Sequence, residues 1–269
     1  MIKGYGHHLA FDFVAGVRDT TLMLMNYLFP LGFFVMIGLF MPSINPAFLD
    51  IMIPGLILFA VMSGTLMTIP ATLIDQRTGG ILRSYRVNGV PAAAVVTTPI
   101  LGALFHMLLV SGLLTAAGAF LFDAAVPRQW GWFVLVIVLA TLSLASLSAL
   151  IGVVAPSSRA GVLFSQLVFV PSVILGGLMV PPELLPAGIA RGAAILPASQ
   201  AMRAFSALAM GEEAAVSAGV GPLVVLGASI VVNLLLSLAL FEWNARSGGA
   251  KRFLGLLALL PFLAAVGFS

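Results

Sequence analysis

Long apolar runs separated by short polar segments fill most of the chain. A helix needs about 20 mainly apolar residues to cross the roughly 30 Å hydrocarbon core of a bilayer. Runs that meet this length lie, in chain order, at residues 22–41, 51–74, 92–122, 130–154, 161–180 and 222–241. The first run is followed by Met41-Pro42-Ser43 rather than by a small-x-small cleavage motif, so it is expected to be a mature span. The pattern predicts an all-α polytopic membrane protein with six transmembrane helices.

The composition agrees with this pattern. Hydrophobic residues make up 61% of the 269 residues and charged residues only 8%, whereas a soluble domain carries about 25% charged residues. The formal net charge is +3, but the basic residues are scattered between apolar runs and form no stripe, which argues against nucleic acid binding. The absence of cysteine excludes disulfides, thiolate metal sites and thiol nucleophiles.

The basic residues are unequally divided between the two sides of the predicted membrane. Cytoplasmic loops accumulate Lys and Arg. Nine basic residues fall on one side, namely Lys3, Arg18, Arg77, Arg83, Arg86, Arg159, Arg246, Lys251 and Arg252, and three on the other, namely Arg128, Arg191 and Arg203. This distribution predicts a cytoplasmic N-terminus, a cytoplasmic loop at 75–91 and an external segment at 181–221.

Apolar residues before the first span recur at helical spacing, at Leu9, Ala10, Phe13, Val14 and Val17. The spacing predicts an amphipathic helix at about 4–18 that lies on the cytoplasmic leaflet, and the alternative is a disordered tail.

The loop at 75–91 contains Asp75, Arg77, Arg83 and Arg86. Gly79 and Gly80 are expected to end the preceding helix, and residues 81–87 can form a short helix of their own. Such a helix could dock onto another protein, or its arginines could anchor the loop to anionic lipid. The residues alone favour neither alternative.

The segment after the fifth run is too apolar for an exposed loop and too interrupted for one straight span. Its glycines and prolines are Gly176, Gly177, Pro181, Pro182, Pro186 and Pro197. We expect two short helices, at about 181–210, that dip into the outer leaflet and pack against the bundle or line an exit path. A plain external loop is the alternative.

All nine carboxylates map to loops or to the ends of the predicted spans. An ion-coupled secondary transporter would need carboxylates within its spans, so this class is disfavoured. The polar residues inside spans are His106, Gln166 and Asn233, which we interpret as helix contacts or as part of a translocation path. An intramembrane enzyme is also disfavoured, because the spans contain no grouped acids, bases or metal ligands.

The order of these segments resembles the type-2 permease subunits of ATP-binding-cassette (ABC) exporters. The resemblance covers about residues 1–245 and rests on the loop that begins Asp75-Gln-Arg-Thr-Gly79 and on the Gly-Gly-x-Met-x-Pro-Pro-x-x-Leu-Pro segment that begins at Gly176. It implies an interfacial N-terminal helix, a coupling helix in the 75–91 loop that engages an ATPase, and a re-entrant hairpin before the last span. Drug and antibiotic exporters show the second pattern most closely, which implies a hydrophobic or amphipathic cargo.

The same resemblance implies partners. No G-x-x-x-x-G-K-[ST] phosphate loop is present, so ATP and Mg²⁺ are expected to bind a separate ATPase dimer, and this chain is expected to be a transport subunit rather than an enzyme. A second permease copy or a related permease would complete the complex, in the cytoplasmic membrane of a bacterium. The pattern ends near residue 245, and residues 246–269 form a basic linker and a further apolar run, which we expect to be a marginal seventh segment.

Overall fold

Helices account for all the regular structure in the described part of the chain. The structure is a computed structural model, and it describes residues 20–179, 186–211, 216–243, 255 and 257–266. The α-helices are α1 (Thr20–Met23), α2 (Phe29–Ile44), α3 (Phe48–Leu66), α4 (Ile69–Thr78), α5 (Ile81–Val87), α6 (Ala92–Phe122), α7 (Trp130–Val154), α8 (Ser158–Leu175), α9 (Ala187–Ala193), α10 (Pro197–Ala204), α11 (Val216–Leu240) and α12 (Leu260–Val266). Two π-helical turns, Leu24–Leu28 and Phe205–Met210, precede α2 and follow α10. The predicted all-α class is confirmed.

Within the residues that the structure describes, six helical stretches are long and apolar enough to cross a membrane, which confirms the predicted number. Spans 1 to 6 are Leu24–Ile44, Phe48–Thr78, Ala92–Phe122, Trp130–Val154, Ser158–Leu175 and Gly219–Leu240. Span 2 runs further than its apolar pattern suggested, because α4 continues it with only Met67 and Thr68 between. Span 5 ends earlier than predicted, because Gly177 adopts a positive φ of 83° that stops the helix.

Span 2 is the central helix of the bundle. In its most apolar stretch 89% of the residues are buried, against 17% in span 5 and 22% in spans 1 and 6. The outer spans turn apolar side chains outward, such as Leu39 in span 1 and Leu167 in span 5. Such faces suit lipid or another subunit, because a membrane helix needs no polar outer face.

The antiparallel spans gather their connections at two ends of the bundle. We name the first the arginine end, which comprises residues 75–91, 155–157 and 241–243. The second is the hairpin end, which comprises residues 45–47, 123–129, 176–179 and 186–211. Backbone bonds join its parts, since Ala125 N donates to Leu49 O (3.2 Å) and Arg128 N to Ala209 O (2.9 Å).

Part of the tail is described. Its helix, Leu260–Val266, packs against α11, with Pro261 and Phe262 buried. Seven residues rise only about 10 Å as a helix, so this helix by itself is too short to cross a bilayer. The predicted interfacial helix at 4–18, Pro181, Pro182 and the basic linker at 246–254 lie outside the described residues.

Candidate functional site

A short helix, α5, lies at the arginine end between spans 2 and 3. The predicted helix at 81–87 is confirmed with the same bounds. Gly80, with φ 79°, makes the turn into α5, and Gly89, with φ 74°, makes the turn out of it. Both positions need glycine, because side chains with a Cβ atom rarely adopt a positive φ. Pro91 then caps span 3, so two turns fix the direction of α5 relative to both spans.

The side chains of α5 differ in exposure. Leu82 is 2% exposed and packs in an apolar cluster with residues from spans 2, 3 and 4, and Tyr85 lies against the same cluster. Arg83 and Arg86 are exposed. Leu82 therefore fixes α5 on the bundle, while the two arginines remain at the surface.

Arg77 differs from the arginines of α5. Its side chain, at the end of α4, is 8% exposed and donates hydrogen bonds to the backbone oxygens of Val153 (2.8 Å) and Ala155. These oxygens lie at the C-terminal end of span 4, where carbonyl groups lack partners within the helix. Arg77 is therefore buried against the end of span 4 and does not belong to the exposed surface formed by Arg83 and Arg86.

Close contacts hold α4 against spans 4 and 5. A Cβ atom at Gly152 would lie 3.0 Å from Leu73 Cβ and 3.1 Å from Pro70 Cα, and one at Gly161 would lie 2.6 Å from Ile74. The contact at Gly161 would require a shift of Ile74, and the contacts at Gly152 are tight for a Cβ atom, so glycine eases the observed approach.

Asp75 provides the polar contact between α4 and span 5. Its carboxylate is exposed and accepts a long hydrogen bond (3.4 Å) from the Ser158 hydroxyl at the start of span 5. Of the predicted loop residues, Asp75 and Arg77 thus contact the 4–5 connection, whereas Arg83 and Arg86 do not share these contacts. We call α4, α5 and residues 152–161 the junction.

His106 lies in the interior of the bundle. It is 8% exposed, and its Nδ1 lies 2.7 Å from the hydroxyl of Tyr27, which belongs to the π-helical turn of span 1. The two rings also meet edge to face, with centroids 5.7 Å apart. The adjacent Asn26 is 5% exposed, and its Oδ1 accepts no hydrogen bond within the described part of the chain. His106 therefore joins span 3 to span 1.

Asn233 joins two other helices. It is fully buried and its Nδ2 lies 3.4 Å from the hydroxyl of Ser146, which places it between spans 6 and 4. One turn away, the hydroxyls of Ser143 and Ser229 lie 2.6 Å apart. Gln166 is half-buried in span 5. The structure thus places His106 and Asn233 in separate helix interfaces, and these contacts account for both residues as interhelical hydrogen-bonding groups.

A tight turn follows span 5 at the hairpin end. A Cβ atom at Gly176 would lie 2.2 Å from Ser172 O, and one at Gly55 of span 2 would lie 2.7 Å from Leu178 O. Leu178 is fully buried, so the turn is fitted against the central span. Gly176 and Gly177 end span 5 here, whereas the sequence predicted that it continues to residue 180.

The two short helices of the hairpin segment have different surroundings. Pro186 and most of α9 are exposed, including Ile189 at 46%. Pro197 starts α10, and the following turn of helix buries Ala198, Ala201 and Phe205 against the bundle. Gln200 Nε2 donates to Ala194 O at 2.6 Å and thereby joins the two helices. The second arm of this segment is therefore part of the core and not a plain external loop.

Sequence reasoning missed the partners of the polar residues it selected. Tyr27 bonds His106 and Ser146 bonds Asn233, and neither partner was considered together with these residues. The adjacent Asn26 and Tyr27 in an otherwise apolar run were a usable signal for the first contact. Nothing in the spacing identified the acceptors of Arg77, because they are backbone oxygens 76 and 78 residues away.

Comparison with known proteins identifies the family. The family model described as ABC-2 type transporter matches residues 9–210, which includes spans 1 to 5, α5 and most of the hairpin end. No curated protein and no solved structure matches the chain in the corresponding comparisons. Because the match covers well over half of the sequence, this multi-pass membrane protein belongs to the ABC-2 type transporter family, and the matched region is a transmembrane permease domain.

Proposed function

We propose that this permease is the membrane subunit of an ATP-driven exporter, and that α5 is the helix that receives the ATPase. The observation that carries the proposal is the asymmetry of α5, which buries Leu82 in the bundle and exposes Arg83 and Arg86. A helix that is fixed by a buried side chain and carries two exposed arginines can pair with carboxylates of a partner through charge-assisted hydrogen bonds.

The proposed orientation puts the arginine end and the N-terminus in the cytoplasm of a bacterial cell, within the cytoplasmic membrane. The support is the division of basic residues, nine against three, because cytoplasmic loops retain Lys and Arg. The hairpin end then faces outward.

The proposed complex contains two permeases, identical or related, and an ABC ATPase dimer that binds ATP and Mg²⁺. Span 2, the most buried span, occupies the centre of the described bundle, which favours a route between two subunits over one through a single bundle. The outward apolar residues of spans 1 and 5 would then contact the second permease or lipid.

The proposed cargo is hydrophobic or amphipathic, such as a drug, an antibiotic or a lipid-like molecule. The support comes from the hairpin end, from which cargo would leave. Both its exposed and its buried side chains are mainly apolar. A pocket for a strongly polar solute would need convergent polar groups instead.

The docking role is tested by reversing the charge of Arg83 and Arg86 together. We expect Arg83→Glu with Arg86→Glu to abolish co-purification of an ABC ATPase, identified by mass spectrometry, with the tagged permease from its native membranes. Glutamates that face the partner's carboxylates lose the paired hydrogen bonds and add like-charge repulsion.

Arg191→Glu is the matched control, because Arg191 is an exposed arginine of the hairpin end. It should leave the ATPase bound. Retention of the ATPase by the double variant would show that α5 does not hold it, and absence of any ABC ATPase with the unmodified permease would contradict the proposed function.

An ion-coupled secondary transporter is the second candidate, and the His106–Tyr27 pair is the observation that favours it. An ionisable side chain inside a span is a common component of proton pathways. In vesicles with ATP present, removal of the proton and sodium gradients should spare transport by an ABC exporter and should stop transport by the ion-coupled alternative.

A further inference from the structure

Arg77 is a buried charge whose position needs an explanation. Arginine is almost never fully buried unless it is paired, and Arg77 is 8% exposed. Its guanidinium donates to two backbone oxygens, of Val153 and of Ala155, that flank the last residue of span 4. Carbonyls at a helix C-terminus carry partial negative charge, so a cation there is favourable as well as hydrogen-bonded. The planar fork of arginine suits two acceptors that are close together, which lysine does not match.

Arg77 also lies where three helix ends converge. A small cavity beside it is lined by Leu73 of α4, Gly152 of span 4, and Phe241 and Glu242 that follow span 6. The Gly152 approach and the Asp75–Ser158 bond hold the rest of α4 against spans 4 and 5. The guanidinium is therefore a buried charged contact in a connection that also contains a close steric approach and the exposed Asp75–Ser158 bond.

Only Gly79 and Gly80 separate α4 from α5. Backbone bonds continue through this turn, since Gly79 N donates to Asp75 O (2.8 Å) and Arg83 N to Gly80 O (3.1 Å). On the far side, Leu82 packs in the same apolar cluster as Leu73 and Val153. A displacement of α5 is thus passed to α4 through a two-residue turn that is held by backbone hydrogen bonds.

We propose that Arg77 is a positioning residue that makes α4, α5 and the end of span 4 move as one rigid body. The proposal rests on the proposed function, in which an ATPase displaces α5. With Arg77 in place, that displacement is passed to spans 4 and 5 through the bonds to Val153 and Ala155. Without it, α5 and α4 move while span 4 lags behind.

The chain contains no cysteine, so two introduced cysteines can carry spin labels without competing sites. Val87, at the end of α5, is 81% exposed, and Arg159, at the start of span 5, is exposed as well. With Val87→Cys and Arg159→Cys, double electron–electron resonance in nanodiscs measures the distance between α5 and the 4–5 connection. We expect Arg77→Gln to broaden the distance distribution about twofold, because local opening is no longer opposed by the two hydrogen bonds.

Two further variants separate positioning from general stability. Arg77→Lys keeps the charge but loses the planar fork, so it should give a distance distribution of intermediate width. This variant also replaces Arg77→Gln as the test if Arg77→Gln does not accumulate in the membrane. Arg83→Gln, which removes an exposed arginine from the neighbouring helix, should leave the width unchanged. An unchanged width for Arg77→Gln, or for Arg77→Lys where only that variant accumulates, would overturn the proposal.

The same labels report on coupling in the complex with the ATPase. In the complex with native Arg77, ATP should leave the Val87–Arg159 distance unchanged, because both ends move together. In Arg77→Gln, ATP should shift that distance, because α5 moves alone. A permease that binds no ATPase would contradict the proposed function, but it would leave the measurement on the isolated permease as an independent test of Arg77.

Discussion

Different kinds of contact hold the two ends of the bundle together. At the arginine end, α4 is held by a buried guanidinium on Val153 O and Ala155 O and by glycine-mediated contact at Gly152. At the hairpin end, the turn at Leu178 and the second arm from Pro197 are held by apolar burial and by backbone bonds. One end thus depends on directional polar bonds and the other on packing.

This difference has a mechanical consequence. Hydrogen bonds of a guanidinium to helix-end carbonyls fix a direction, because they weaken steeply when the angle changes. Apolar packing fixes volume but allows sliding of small side chains such as Ala198 and Ala201. The proposed transmission of a displacement through Arg77 relies on this directionality.

The largest loss of stability is predicted for a substitution in the packed hairpin end. Phe205 is fully buried in the π-helical turn, with its ring 5.5 Å from that of Phe133 in span 4. We expect Phe205→Ala to lower the free energy of unfolding by about 3 kcal/mol, because a large aromatic side chain leaves a cavity. Thermal denaturation in detergent, followed by size-exclusion chromatography, measures this.

Phe120→Ala is its control, since Phe120 is 88% exposed at the end of span 3. Its substitution should shift the denaturation midpoint little. Equal shifts for the two variants would mean that the second arm is not part of the core.

The next largest loss is predicted for a substitution at the Gly152 contact of the arginine end. Valine at Gly152 would place atoms against Pro70 and Leu73, and we expect Gly152→Val to cost about 2 kcal/mol by overpacking. It should also broaden the Val87–Arg159 distance distribution, since α4 is displaced. Gly102→Val is the matched control in span 3, because a Cβ atom there meets nothing within 4 Å. A narrow distribution for Gly152→Val would contradict the close approach.

The smallest effect concerns the middle of the bundle, between the two ends. Tyr27→Phe keeps the ring and removes the hydroxyl that bonds His106, and we expect a loss of about 0.6 kcal/mol, as for other hydrogen bonds between membrane helices. A double-mutant cycle with His106→Phe isolates the pair. Additive losses in that cycle would show that the contact contributes nothing to stability.

Much of the architecture was predictable because a bilayer imposes a length on every span. The six runs and the helix at 81–87 were predicted from apolar length or from glycine, and the helices confirm them. The end of span 5 was predicted at residue 180, but the helix stops at Leu175. The different roles of the three loop arginines were not predictable, since Arg77, Arg83 and Arg86 look equivalent in the sequence. Burial separates them, and burial depends on which helices are neighbours.

The sequence by itself determined that the chain crosses a membrane and where its helices begin and break, because those properties follow from local hydrophobicity, glycine and proline. Only the tertiary structure decided that span 2 is central, that His106 meets Tyr27, and that Arg77 bonds the end of span 4. These contacts join residues far apart in the chain. The physical reason is that outward and inward faces of a membrane helix are equally apolar, so the pattern that reveals a core in a soluble protein is absent here.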